Sequence, residues 1–141
     1  MLSSRTRAGP SPPASAGRRW PLWAAAALAL AIVVLHVVDG QPENLDPLLA
    51  SDLTAAPRQL FRVLWHVSTA LLATFPVALA WAAGADRAVA APVLVYVWVL
   101  AAAFAAIFLA VGVAAFGPAG LLTLPQWLLF LPLLVLLPIA R

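Results

Sequence analysis

Apolar residues fall in four runs, 20–38, 60–83, 89–116 and 121–140, and every charged residue of the chain except Arg62 lies outside them. A helix needs about 20 residues to cross a hydrocarbon core of about 30 Å at about 1.5 Å per residue, and all four runs are of that order. Pro57 suits the first turn of a helix, which extends the second span to 57–83. None of the runs alternates with the period of two expected of a barrel strand. Backbone polar groups in hydrocarbon must be satisfied within the segment, so helices follow. The pattern predicts an all-α, four-helix transmembrane bundle.

The connections carry their own signals. Within 39–56, Leu45, Leu48, Leu49 and Leu53 recur at helical spacing, and Asp46-Pro47 reads as an N-cap followed by proline at the first helical position. This predicts a short interfacial helix lying on the outer surface, with Ser51 and Asp52 turned to water. Arg58 and Arg62 then reach the outer headgroup level. Gly84 closes the second helix and Asp86 can cap the third, in which Pro92 predicts a late start or a bend. Small residues at the centre of the third helix give small-xxx-small spacings, and Ala102 and Ala106 are expected to touch a neighbour. Residues 117–120 form the outer turn, the last helix begins near Thr123-Leu124-Pro125, and Pro132 kinks it.

Composition agrees with the pattern. The chain is 65% hydrophobic and 9% charged, against roughly 25% charged in soluble domains. All eight basic residues are Arg, and Arg5, Arg7, Arg18 and Arg19 precede the first span, which places the N-terminus in the cytoplasm by the positive-inside bias. Four spans return the C-terminus to the same side, with Arg87 and Arg141. Asp39, Glu43, Asp46 and Asp52 then lie outside. The net charge of +3 sits largely in an Arg-bearing tail and suits anionic lipid, not nucleic acid. With no cysteine, disulfides, thiolate metal sites and cysteine-based redox chemistry are excluded. Residues 1–17 have a composition that cannot form a packed core, which leaves one membrane domain, 18–141. Val37-Val38-Asp39-Gly40 offers no small-x-small cleavage site, so the first span is expected to remain uncleaved.

Both histidines fall inside spans at matching depth, His36 near the outer end of the first and His66 one turn below Arg62 in the second. Asp39 lies at i+3 from His36, and Gln126 enters at the outer end of the fourth helix. Ionisable groups at membrane depth are costly, so His36, Asp39, Arg62, His66 and Gln126 define a candidate polar site in the outer leaflet, with the two imidazoles facing one another. The plainest reading is a hydrogen-bonded lock between helices. No cofactor is expected. Haem b held by the two histidines, a metal ion, a proton or small-ion relay, and a lipid or small amphipathic ligand are the alternatives. Catalysis has little support, because Ser68 is two residues from His66 and points to another face, and no phosphate loop or H-E-x-x-H occurs. Trp20, Trp23, Trp65, Trp81 and Pro125-Gln126-Trp127 suit interfacial anchoring.

His36-x-x-Asp39-Gly40, Pro47-Leu48-Leu49-Ala50-Ser51, Arg62-Val63-Leu64-Trp65-His66 and Pro125-Gln126-Trp127 together resemble motifs of a set of small bacterial inner-membrane proteins with four predicted helices and no assigned function. The likeness implies fold and location: a multi-pass protein of the bacterial inner membrane. The expected role is a non-enzymatic accessory or structural component whose partners are the lipid bilayer and itself or another membrane protein. A small oligomeric transporter or proton-coupled carrier is the main alternative, and a bis-histidine haem b electron carrier the third.

Overall fold

A computed structural model describes residues 19–140. The tail 1–17, with Arg5 and Arg7, and the expected positions of Arg18 and Arg141 lie outside the described residues. The described residues are predominantly helical, with no strand among them. The four principal helices are α1 (Trp20–Val38), α2 (Ala55–Gly84), α3 (Arg87–Phe116) and α4 (Trp127–Ile139). α1 packs on α2 and α4, and α3 packs on α2 and α4. Each helix therefore touches its two neighbours in a closed ring, as short connections between antiparallel helices require.

Three helical stretches are long and apolar enough to cross a membrane, and α4 is shorter at 13 residues. The expected fourth span, 121–140, is thus divided. Gly120–Thr123 is a separate helical turn, the backbone leaves the helix from Leu124, and α4 starts only at Trp127. Gly117 opens this connection with φ +61°, a conformation that side-chain-bearing residues avoid. It turns the chain so sharply that Gly112 and Gly120 meet backbone to backbone: a Cβ on Gly112 would lie 2.8 Å from the Gly120 carbonyl oxygen. Prolines inside α4, at Pro132 and Pro138, leave carbonyls without intrahelical donors. Pro138 cannot bond Leu134, and the Trp98 Nε1–H of α3 donates to the Leu134 oxygen at 3.1 Å instead.

The first connection also departs from expectation. No separate helix lies on the surface; the chain stays helical from Trp20 to Leu49, passing through a π-helical turn at Gln41–Leu45. Pro42 lacks the N–H that would close the α ladder at this point, and the wider turn is closed by Asp46 N–H on the Gln41 oxygen. Asp46 is accordingly inside the helix and not its cap. Of the leucine face, Leu45 is buried and Leu48 and Leu49 are half-buried where the extension packs on α2, while Leu53 is exposed. Asp52 is exposed as expected, whereas Ser51 is half-buried and donates to the Leu48 oxygen.

The core runs along the inner face of all four helices, with Ala25, Leu79, Ala101, Leu133 and Leu137 fully enclosed. In α3 the packed positions are Ala90, Leu94, Val97, Ala101, Ala105 and Gly112. Ala106 is exposed and Ala102 only half-buried, which corrects the expected small-residue contact by one position, roughly 100° round the helix. Asp86 is the N-cap residue of α3, which starts at Arg87 and continues past Pro92 without a break. At the same end of the bundle the Arg19 guanidinium donates to the Ala83 oxygen at 2.6 Å. It satisfies a last-turn carbonyl of α2 and places a cation at the negative end of that helix.

Candidate functional site

Where α1 leaves the bundle, α2 carries Trp65, Ser68, Thr69 and Leu72 toward it, at the 3- and 4-residue spacing that continues the buried line Leu72, Phe75, Leu79. The indole of Trp65 stacks on the His36 imidazole with ring centroids 4.1 Å apart and planes at 16°. Thr69 Oγ1 donates its one hydrogen to the Trp65 carbonyl at 2.8 Å. The 3.0 Å contact between His36 Nε2 and Thr69 Oγ1 is then a bond in which Nε2–H donates, so the imidazole is held at both face and edge.

Above and beside this lock lies a cavity of about 500 Å³, lined from all four helices and the π turn. This is within the range of small-molecule sites. Its inner part is apolar, formed by Ile32, Leu72, Phe104, Phe108, Leu129 and Phe130. Its other wall is polar, with His36, Asp39, Glu43, Asn44, Ser68 and Gln126. Asp39, Glu43 and Asn44 are exposed, while Gln126 is half-buried and its Oε1 is enclosed with no hydrogen-bond partner. The Asn44 amide donates to the Gly40 oxygen at 3.0 Å. Gly40 is needed at this corner, since a Cβ there would come within 3.0 Å of the Trp65 ring.

No protein-family model, curated protein or solved structure matches this chain. The geometry therefore carries the functional argument.

Three of the five expected residues, His36, Asp39 and Gln126, line the cavity together. The other two do not. Arg62 and His66 are exposed and absent from its lining. The expected pairing of the imidazoles is corrected: Trp65, one residue before His66, takes the place facing His36. The stripe Gln59, Arg62, His66 and Ala73 is rotated by roughly 100° from the packed face of α2, and Thr69 stands at the boundary between them. With His36 Nε2 engaged by Thr69 and His66 on the outer surface, the two histidines do not fit a shared haem iron. Among the described residues no three His, Cys, Asp or Glu side chains gather as a metal site. Ser68 donates to the Trp65 oxygen at 2.8 Å, so its hydroxyl hydrogen is committed to the backbone of its own helix.

The sequence pattern assigns Trp65 to interfacial anchoring and places Glu43 in the outer connection 39–56, which also contains Asn44. The signal for Trp65 was the heptad line through Leu72, Phe75 and Leu79. Glu43 and Asn44 reach the cavity only because α1 continues through the π turn, a geometry for which the sequence offered Pro42 and nothing more. Trp20, Trp23 and Trp81 are all exposed at the end of the bundle opposite the cavity.

Proposed function

We propose that this protein is a non-enzymatic component of a bacterial inner membrane whose helix bundle holds a small amphipathic molecule in the outer leaflet. The observation that carries the reading is the cavity itself, with an apolar inner part at the depth of the spans and a polar wall where α1 passes into its extension. Such a site matches a molecule with a tail and a head. The π turn supports it, because π-helical geometry is rare and concentrates at functional sites, and here it supplies two residues of the polar wall. Below the cavity, Phe75, Leu79, Leu133 and Leu137 are buried and fill the interior. A closed interior favours holding a ligand over passing it to the other side.

The orientation belongs to the same proposal. Arg19 and Arg87 lie at one end of the bundle and Asp39, Glu43, Asp46 and Asp52 at the other. The positive-inside bias supports both termini in the cytoplasm and the cavity facing out, although Arg58 and Arg62 count against it. The resemblance to small bacterial inner-membrane proteins supports the location.

Native mass spectrometry of the full chain released from neutral detergent tests the binding role. We expect one retained amphiphile per chain, lost in Ser68→Trp, whose indole would occupy the cavity while the helical circular dichroism stays unchanged. Retention of the same adduct by Ser68→Trp, or none in the parent protein, would contradict the reading.

A further inference from the structure

Outside the cavity, α2 carries a basic stripe that the bundle leaves without a counter-ion. Arg58, Arg62 and His66 stand at successive turns of one face, about 6 Å apart along the axis, with Gln59 beside Arg62. No side-chain hydrogen bond among the described residues involves Gln59, Arg62 or His66, and Arg58 donates to the Leu53 backbone oxygen, not to a carboxylate. Like charges one turn apart repel, and the first turn of α2 has no acidic residue to offset them. The surface around the stripe is apolar: Leu60, Phe61, Val63, Leu64 and Val67 are all exposed. On a membrane span such a surface faces acyl chains, where an ionisable side chain without a partner is costly. α2 has 30 residues, about 45 Å at about 1.5 Å each, against a hydrocarbon core of about 30 Å. Centred on that core, it holds Arg58 and Gln59 in the headgroup layer and Arg62 within snorkelling reach of it. The acceptors at that level are lipid phosphates.

We propose that this face of α2 holds an anionic phospholipid. The charges of Arg58 and Arg62 flank its phosphodiester, the Gln59 amide donates to it from beside Arg62, and His66 lies one turn deeper. One acyl chain runs along Val63, Ala70 and Val77, exposed residues spaced by seven that continue this side of the helix toward its other end. The apolar row is what favours a lipid over a free phosphate. Two guanidinium groups and no carboxylate on the stripe favour a head whose only charge is its phosphate over one that adds an ammonium. At this end of the bundle Asp39, Glu43, Asp46 and Asp52 outnumber Arg58 and Arg62, so a preference for anionic lipid reports the stripe itself and not the charge of the end. The stripe shares no residue with the cavity lining, and the inference stands apart from the amphiphile reading. It also gives Arg58 and Arg62, which run against the positive-inside bias, a neutralising partner outside the protein.

Excess detergent strips lipid from an exposed face, so the test supplies it. The full chain, delipidated in neutral detergent, is mixed with equal amounts of dioleoyl phosphatidylglycerol and dioleoyl phosphatidylethanolamine, and native mass spectrometry counts the lipids gained over any adduct already present. Phosphatidylglycerol should be gained in preference to phosphatidylethanolamine. An Arg near the surface contributes about 1 kcal/mol toward anionic lipid, so Arg62→Gln should lower that preference about fivefold. The double variant Arg58→Gln, Arg62→Gln should abolish it. Arg62 is exposed, so its substitution leaves the packed core untouched. Arg87→Gln removes the same charge from an exposed position at the other end of the bundle and should leave the preference unchanged, as should Ser68→Trp. Equal gain of the two lipids, a preference that survives the double variant, or one that falls as far in Arg87→Gln overturns the inference. Loss of the preference in Ser68→Trp places the lipid in the cavity and overturns it too. Displacement by glycerophosphoglycerol, which has the head and no acyl chains, assigns the stripe to a free phosphate compound and not to a lipid. A chain that is dimeric until Arg62→Gln, with an unchanged lipid preference, gives this face to a second copy and also overturns it.

Discussion

His36 donates through Nε2 to Thr69, Thr69 donates to the Trp65 carbonyl, and Trp65 covers the imidazole face. This chain of contacts joins α1 to α2 and forms one wall of the cavity, so its energy is a matter of two unlike terms. Interhelical hydrogen bonds within membranes average about 0.6 kcal/mol. A stacked aromatic pair adds about 0.5–1.5 kcal/mol beyond the area it covers. Thr69→Val should therefore lower thermal stability in detergent only slightly, whereas Trp65→Ala should cost on the order of 2 kcal/mol. His66→Ala, at an exposed position with no part in the lock, should leave the melting temperature unchanged; a loss as large as that of Trp65→Ala would place His66 in the packed face. The sequence marked His36 because a histidine in a span is conspicuous, and it marked His66 for the same reason. Helical phase distinguishes them, and the phase is legible only once Trp65 is joined to the line of Leu72, Phe75 and Leu79.

α3 illustrates the same point for a whole element. Its alanines were legible as a packing surface, yet a run of consecutive small residues leaves the contacting face undetermined, and the structure chooses Ala101 and Ala105. Ala101→Leu should then destabilise by about 1–3 kcal/mol through overpacking, and Ala106→Leu, on the exposed side, should be near neutral. Equal losses in a thermal melt would mean that both faces are covered. The turn into α4 is more demanding. Gly120→Ala places a Cβ on the Gly112 carbonyl, and because backbone cannot swing aside as a side chain can, the α3 to α4 connection must open. A loss of about 1–3 kcal/mol is expected, while Gly84→Ala, with open space around the new methyl, should show none in the same melt. The glycines of this turn were visible in the sequence. What could not be read was that two of them, Gly112 and Gly120, touch across it, since their contact depends on how far the chain folds back.

For the molecule as a whole, four apolar runs were enough to predict an all-helical bundle, and the neighbour order follows from connections too short to cross it. The length of each helix was less legible. Proline and glycine near the ends allow a helix either to stop or to continue, and here the helical extension of α1 runs past Pro42 and Pro47 to Leu49 while α4 begins beyond Pro125. Both outcomes shape the site: the first brings Glu43 and Asn44 to the cavity, and the second leaves Gln126 beside it. We propose a cavity that faces outward and takes an amphiphile. The chain has no cysteine, so a single introduced thiol reports on both the orientation of the cavity and its occupancy. Asn44→Cys, on the polar wall of the cavity, should react with a membrane-impermeant maleimide added to intact spheroplasts, and dilute hexyl glucoside should slow the reaction. Ser51→Cys, beyond the cavity, should react at a rate that the amphiphile does not change. A thiol at position 44 that reacts only after the membrane is permeabilised, or that reacts from outside at the same rate with and without the amphiphile, would contradict the account.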